Sequence, residues 1–193
     1  MKPKQIWLPG GLGRLLYVPA RHSASIPGDL IFSTNLWLAH RDRHGHLISD
    51  GRPFDPELGY DMGSGLVTHA GVRLLSQDTA ISAGSATLNA MKYHGSGTGT
   101  TAAAATDTAL QTAIGTTATS GTNSNADASP NATVTATATI SYTSTLAVTE
   151  WGLFNSGTLS GATMWDHKVF SAVNVVSGDS ITPTYVLTIN SGG

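Results

Sequence analysis

A few sets of residues carry groups that could do chemistry. His40, Asp42, His44 and His46 bring three imidazoles and a carboxylate into one short segment, a donor set that suits Zn²⁺. Gly45 breaks the alternation that would put His44 and His46 on one strand face, and no Cys and no helical His-x-x-x-His supports the cluster. The expected reading is polar residues on an exposed hairpin. Gly95-Ser96-Gly97-Thr98-Gly99-Thr100 is rich enough in glycine to cradle a phosphate. No Gly-Lys-Ser/Thr follows it and no βαβ unit surrounds it, so a flexible loop is expected. Glu150 and Asp166 could flank a glycosidic bond as acid and base. Two carboxylates in a β protein carry little information, and Glu150, in Val148-Thr149-Glu150-Trp151-Gly152, reads as a packing or hydrogen-bonding acid. Trp151 and Trp165 could stack on sugars but read as core or interface aromatics. No serine lies in a Gly-x-Ser-x-Gly elbow. The chain is therefore expected to be no enzyme, with no catalytic, cofactor-binding or metal residue.

Composition narrows the classes further. The chain has 193 residues, a net charge of −2, 11% charged residues and no cysteine. That length suits one domain, or one domain with an arm. A disulfide scaffold is excluded, and no apolar run reaches the ~18 residues of a membrane helix. Lys2 and Lys4 could open a signal peptide, but Pro9, Gly10, Gly11, Gly13 and Arg14 interrupt its apolar segment, so none is expected. Lys2, Lys4, Arg14 and Arg21 could touch phosphates. Interleaved with aliphatics, they more often meet acids on a partner protein, so nucleic acid is not expected. Residues 93–193 hold one Lys, five acids and 22 Thr. A surface of hydroxyls rather than charges fits a β protein that lies against other protein.

The elements that would position these groups follow from punctuation and periodicity. Residues 1–35 read as an extended arm, broken by Pro9-Gly10-Gly11, Val18-Pro19 and Ile26-Pro27-Gly28. Its apolar side chains need a surface. Residues 36–65 read as a β-hairpin and linker: Leu36–His40 leads in, Asp42-Arg43-His44-Gly45 turns, His46–Ile48 leads out, and 50–65 is loop. Residues 66–193 read as the β-sandwich domain. Leu66–Leu75 fits a short helix or an edge strand. Thr87–His94 reads as a strand, alanine-rich Thr101–Ile114 allows a turn or two of helix, and Thr116–Ser129 reads as a long exposed loop. The clearest signal is Ala132–Tyr142, where Ala132, Val134, Ala136, Ala138, Ile140 and Tyr142 alternate with Thr133, Thr135, Thr137, Thr139 and Ser141. Leu146–Phe154, Thr163–Phe170 and Ser180–Asn190 read as further strands, with a turn at Ser177-Gly178-Asp179. The expected fold is all-β: an antiparallel, jelly-roll-like β-sandwich with a long extended N-terminal arm and a β-hairpin.

Several segments of residues 66–193, taken in order, resemble small structural proteins of tailed bacteriophage virions. They are Tyr93–Thr101, Thr106–Leu110, Leu146–Asn155, the Gly157–Gly161 turn, Thr163–Phe170, Ser171–Ile181 and Tyr185–Ile189. The resemblance implies a β-sandwich in the virion without enzymatic activity. It does not extend to residues 1–65.

Two classes compete for the specific role. One is a capsid cement, or decoration, protein, on the capsid surface and made in the host cytoplasm. It would bind the major capsid protein of the assembled shell and other copies of itself, as a homotrimer with interlocking arms. About thirty extended residues reach up to ~100 Å at ~3.3 Å each, enough to cross subunit boundaries. The expected capsid or inter-subunit interface comprises Ile6, Trp7, Leu8, Leu12, Arg14, Leu15, Leu16, Tyr17, Arg21 and Trp37. The other class is a tail, baseplate or head-fibre protein that binds a receptor or glycan, with Thr116–Ser129 facing the host. No heptads or long fibrous repeat support it. A sandwich-fold carbohydrate-active enzyme is a distant third.

Overall fold

The structure, a computed structural model, describes residues 30–49, 52, 54–55, 57–80, 89–128 and 131–191. In chain order these form β1 (Leu30–Arg41), β2 (Phe54–Asp55), β3 (Gly59–Gly63), β4 (Leu66–Val67), α1 (His69–Ala80), β5 (Tyr93–Gly97), β6 (Thr119–Ser120), β7 (Thr122–Ala128), β8 (Asn131–Thr137), β9 (Ile140–Ser141), β10 (Leu146–Phe154), β11 (Met164–Val175) and β12 (Ser180–Ser191). The strands make two antiparallel sheets. Sheet A runs β2-β3-β1-β12-β8-β7, with β9 also on β12; sheet B runs β4-β11-β10-β5-β6. The protein is an all-β sandwich.

Period-two alternation places one side of each strand in the core. Leu36, Leu38, Ala136, Ile181 and Tyr185 come from sheet A; Val148, Trp151, Leu153, Trp165, Val173 and Val175 come from sheet B. Leu153 lies opposite Asp166 and Phe154 opposite Met164, which leaves Trp165 as an extra residue on β11. The bulge turns the indole inward, as bulges re-aim side chains, and its Nε1 donates to the Tyr185 hydroxyl at 2.8 Å. A smaller cluster of Leu110, Phe154 and Met164 sits beside this core.

The first strand revises the expected organisation. Residues 30–35, placed in the arm, are the first half of β1, whose twelve residues pair with β12 from Leu30↔Ser191 to Arg41↔Ser180. The expected hairpin closes by the single Arg41↔Leu47 bridge, with the Ile48 amide donating to the His40 carbonyl and the Asp42 amide to the His46 carbonyl, each at 2.9 Å. Within 50–65, expected as loop, β3 pairs with β1 and β2 with β3. β1, β2 and β3 therefore share sheet A with the C-terminal strands, because β1 finds its long partner in β12.

Other segments moved as well. Leu66–Leu75 divides into β4 and the start of α1, where the Thr68 hydroxyl accepts from the Gly71 amide at 3.0 Å as an N-cap. Of the expected strand 87–94, only Tyr93 and His94 are in β5, which continues to Gly97. Residues 101–114 form turns without helix. Thr116–Ser129 is no loop: it supplies β6 and β7, the latter in register with β8 from Thr122↔Thr137 to Ala128↔Asn131. Its Asn, Asp and Gly disfavour strand locally, but β8 gives the inward-facing backbone groups of β7 a partner, and β5 does the same for β6.

Candidate functional site

Two surfaces carry the polar groups singled out in the sequence: the back of sheet B and the outer face of sheet A. On sheet B, Glu150 shares a face with Gly97 of β5 and Val169 of β11. Its side chain is fully buried, yet both oxygens are saturated. Oε1 accepts from the amides of Gly99 at 2.9 Å and Thr112 at 2.8 Å. Oε2 accepts from the amide of Gln111 at 2.9 Å and lies 3.1 Å from His167 Nε2. His167 Nδ1 in turn lies 2.7 Å from Asp107 Oδ2. The Ala104 amide holds the Asp107 carboxyl below its ordinary range, and His167 adds to this. Each ring nitrogen of His167 therefore faces a carboxylate oxygen, one from each side of the ring.

This network explains the glycine-rich segment. A Cβ at Gly97 would stand 2.3 Å from Glu150 Oε1, and one at Gly99 would stand 2.6 Å from it. Glycine is needed there because a buried carboxylate fills the space that a side chain would take. Gly95–Gly97 is strand rather than the expected flexible loop, and its glycines serve a side chain rather than a phosphate.

The expected carboxylate pair is split. Asp166 lies opposite Leu153 on the core side of sheet B, whereas Glu150 lies on the back, so they cannot flank one bond. Asp166 is fully buried and neither oxygen makes a well-formed hydrogen bond. Burial pushes its carboxyl up to about 7; the nearby Tyr185 hydroxyl and Leu66 amide only soften that rise. A groove of about 360 Å³ opens nearby, lined by Ser64, Leu66, Thr100, Ala103, Lys168 and Val169 among others. The Lys168 ammonium donates into it, to the Ser64 carbonyl at 2.6 Å. Trp151 and Trp165 are buried core residues and offer no sugar platform.

The His-rich segment is separated too. His40 is buried, with Nε2 3.0 Å from Asp179 Oδ2. Asp42 organises the exposed turn through the amides of His44 at 2.8 Å and His46 at 2.9 Å, which holds its carboxyl below the usual range. Among the described residues no three His, Cys, Asp or Glu are placed to hold a metal. No helix there is long and apolar enough to cross a membrane.

Of the expected interface residues, Ile6, Trp7, Leu8, Leu12, Arg14, Leu15, Leu16, Tyr17 and Arg21 lie outside the described residues. Trp37 is half-buried on the outer face of sheet A. Its row there is Asp61, Trp37, Thr184, Thr137 and Thr122; the next rows are Asn35, Val186, Thr135, Ser124 and Ser33, Thr188, Thr133, Ala126. Only Asp61, at the rim of these rows, is charged. The sequence reading missed the network of Asp107, Glu150 and His167, which are far apart along the chain. The one available signal was Gly97 and Gly99, two glycines a strand period apart. Comparison with family models, with curated proteins and with solved structures returned no match.

Proposed function

We propose that this protein is a capsid cement protein of a tailed bacteriophage, without catalytic activity. It binds the assembled shell, with the major capsid protein as its partner, and clamps neighbouring subunits from the capsid surface. It acts as a trimer whose N-terminal segments interlock copies. One observation carries the reading: the outer face of sheet A spans five strands and carries charge only at its rim. Covering such a face costs little charge desolvation, while its hydroxyls and amides can be matched by backbone groups on a protein surface. A clamp that binds only the assembled state stabilises it by linkage, and many symmetric copies add avidity. The virion resemblance of residues 66–193 supports the same reading. The polar network fits it as well, since both His167 nitrogens are committed to carboxylates and none is left to activate a nucleophile.

The test mixes the protein with assembled shells and with unassembled capsid protein. Saturable binding to shells alone is expected. Thr135→Lys with Thr184→Lys should weaken it at least tenfold while changing stability by no more than about 0.5 kcal/mol per site. Binding unchanged by those lysines, or no shell binding, overturns the proposal.

A further inference from the structure

The strand edges of this sandwich are treated unequally. Sheet A ends on one side in β2, and sheet B ends in β4 and β6; each has two residues. β4 pairs only with Asp166 and His167, and among the described residues no strand pairs with that edge of β11 from Lys168 onward. There the register of β11 against β10 shifts between Val169 and Val173. Arg52 lies over this stretch, donating to the carbonyls of Ser171 at 3.3 Å and Ala172 at 3.5 Å. Short strands, bulges and basic side chains are the devices that keep sheet edges from pairing with other chains.

β7 has none of these. It is seven residues long, Thr-Asn-Ser-Asn-Ala-Asp-Ala, with no Pro, Lys or Arg. Its register with β8 is unbroken, so it carries no bulge. Ser124, Asn125 and Ala126 at its middle are exposed. Among the described residues no strand pairs with its other side.

We infer that β7 pairs antiparallel with β7 of a second copy, about a two-fold axis at Asn125. This is the one antiparallel register that opposes all seven residues. It places Asn125 opposite itself, Ser124 opposite Ala126, Asn123 opposite Asp127 and Thr122 opposite Ala128. The single acid then meets an amide residue, and no like charges face each other. The contact is isologous and closed, and it joins two copies of sheet A into one sheet. Strands of seven residues are about 23 Å long. Pairing them alone buries less than the roughly 1,000 Å² of a stable interface. The dimer is therefore weak in dilute solution and forms where copies are already close together. This inference does not depend on the cement reading, because its partner is the chain itself.

The chain has no cysteine, so Asn125→Cys creates a sole thiol. Opposed residues of antiparallel strands have Cα atoms about 4.5–5.5 Å apart, within disulfide range. In the purified protein at millimolar concentration under mild oxidation, N125C should form a disulfide-linked dimer at least tenfold faster than L58C or V176C. Leu58 and Val176 are exposed elsewhere, at 39% and 52%. Adding Ser124→Lys and Ala126→Lys sets lysines against each other and should lower the N125C rate at least tenfold. Mixing that protein with N125C carrying Ser124→Glu and Ala126→Glu should restore it. The sedimenting mass of the unmodified protein should rise toward twice its dilute value as the concentration is raised to that range. Cross-linking of N125C at the control rate, or indifference to the lysines, overturns the inference. So does a sedimenting mass that stays constant over the whole concentration range.

Discussion

The two sheets solve opposite problems on the faces they turn away from the core. Sheet B covers its back with residues 98–114 and holds them through a buried carboxylate, an imidazole and three backbone amides. The outer face of sheet A is almost uncharged, built mainly from Thr, Ser and Asn around Trp37, and no described segment is layered over it by such a network. Buried charge is costly unless every lone pair and proton is matched, and on sheet B the matching fixes one loop conformation. Among the described residues no such network lies on the outer face of sheet A, the face on which the proposed docking rests. The rigid parts of this protein are thus read from its buried polar groups. Its adaptable surface is read from where charge is missing.

The largest expected effect breaks sheet B's side of that contrast. Glu150→Ala strands three amides and His167 without their acceptor, and should cost about 3–5 kcal/mol, the range for breaking a buried ionic pair. Chemical denaturation measures the loss, and hydrogen exchange should show faster opening at Gly99, Gln111 and Thr112. An unchanged midpoint would mean that the loop holds without its staple.

Asp166 comes next. Burial raises its carboxyl to about 7 from 3.8, so the folded state binds the proton more tightly than the unfolded one. That advantage is complete below about pH 4 and is lost as pH rises through 7. Asp166→Asn mimics the protonated form. It should exceed the natural protein by about 4 kcal/mol at pH 8, an order-of-magnitude figure at about 1.4 kcal/mol per pH unit, and match it below pH 4. Denaturation midpoints across that pH range check both limbs.

His94 has the opposite sign. It is buried and accepts a hydrogen bond from Trp151 Nε1 at 3.2 Å through Nδ1. Burial lowers it to about 3 from 6.5, so its contribution is intact above pH 6.5 and erodes as pH falls toward 3. Between pH 6.5 and 5 the natural protein should lose about 2 kcal/mol that His94→Gln does not lose. Equal acid sensitivity in the two proteins would place that loss elsewhere.

The smallest effect sharpens sheet A's side. Thr135→Lys with Thr184→Lys should change stability by no more than about 0.5 kcal/mol per site, as surface substitutions do. A loss of several kcal/mol would show that the outer face is part of the folded framework rather than a docking surface.

Legibility in the sequence followed the range of the interactions. Leu146–Phe154 was readable to the residue as β10, a run of mostly apolar residues bounded by turn signals, and Ser180–Asn190 nearly so as β12, whose alternating side chains announce their own period. Ala132–Tyr142 was readable as strand, although the chain breaks pairing at Ala138 and Thr139 between β8 and β9. Thr116–Ser129 was not readable, because its strand state comes from β8 rather than from its own side chains. The glycines at 95, 97 and 99 read as a loop because glycine is locally permissive, and the carboxylate that requires two of them lies about fifty residues away. Glu150 was recognised as a hydrogen-bonding acid, but none of its partners was.

By itself the sequence determined the fold class, the absence of any disulfide, the low charge and the main C-terminal strands. Each of these follows from composition or from a period of two that every residue carries with it. Only the tertiary structure decided that β1 pairs with β12, that Glu150 and Asp166 stand on opposite faces of one sheet, and that Asp107, Glu150 and His167 meet. Those outcomes depend on strand register and on bulges, and a one-residue change in register moves a side chain to the other face.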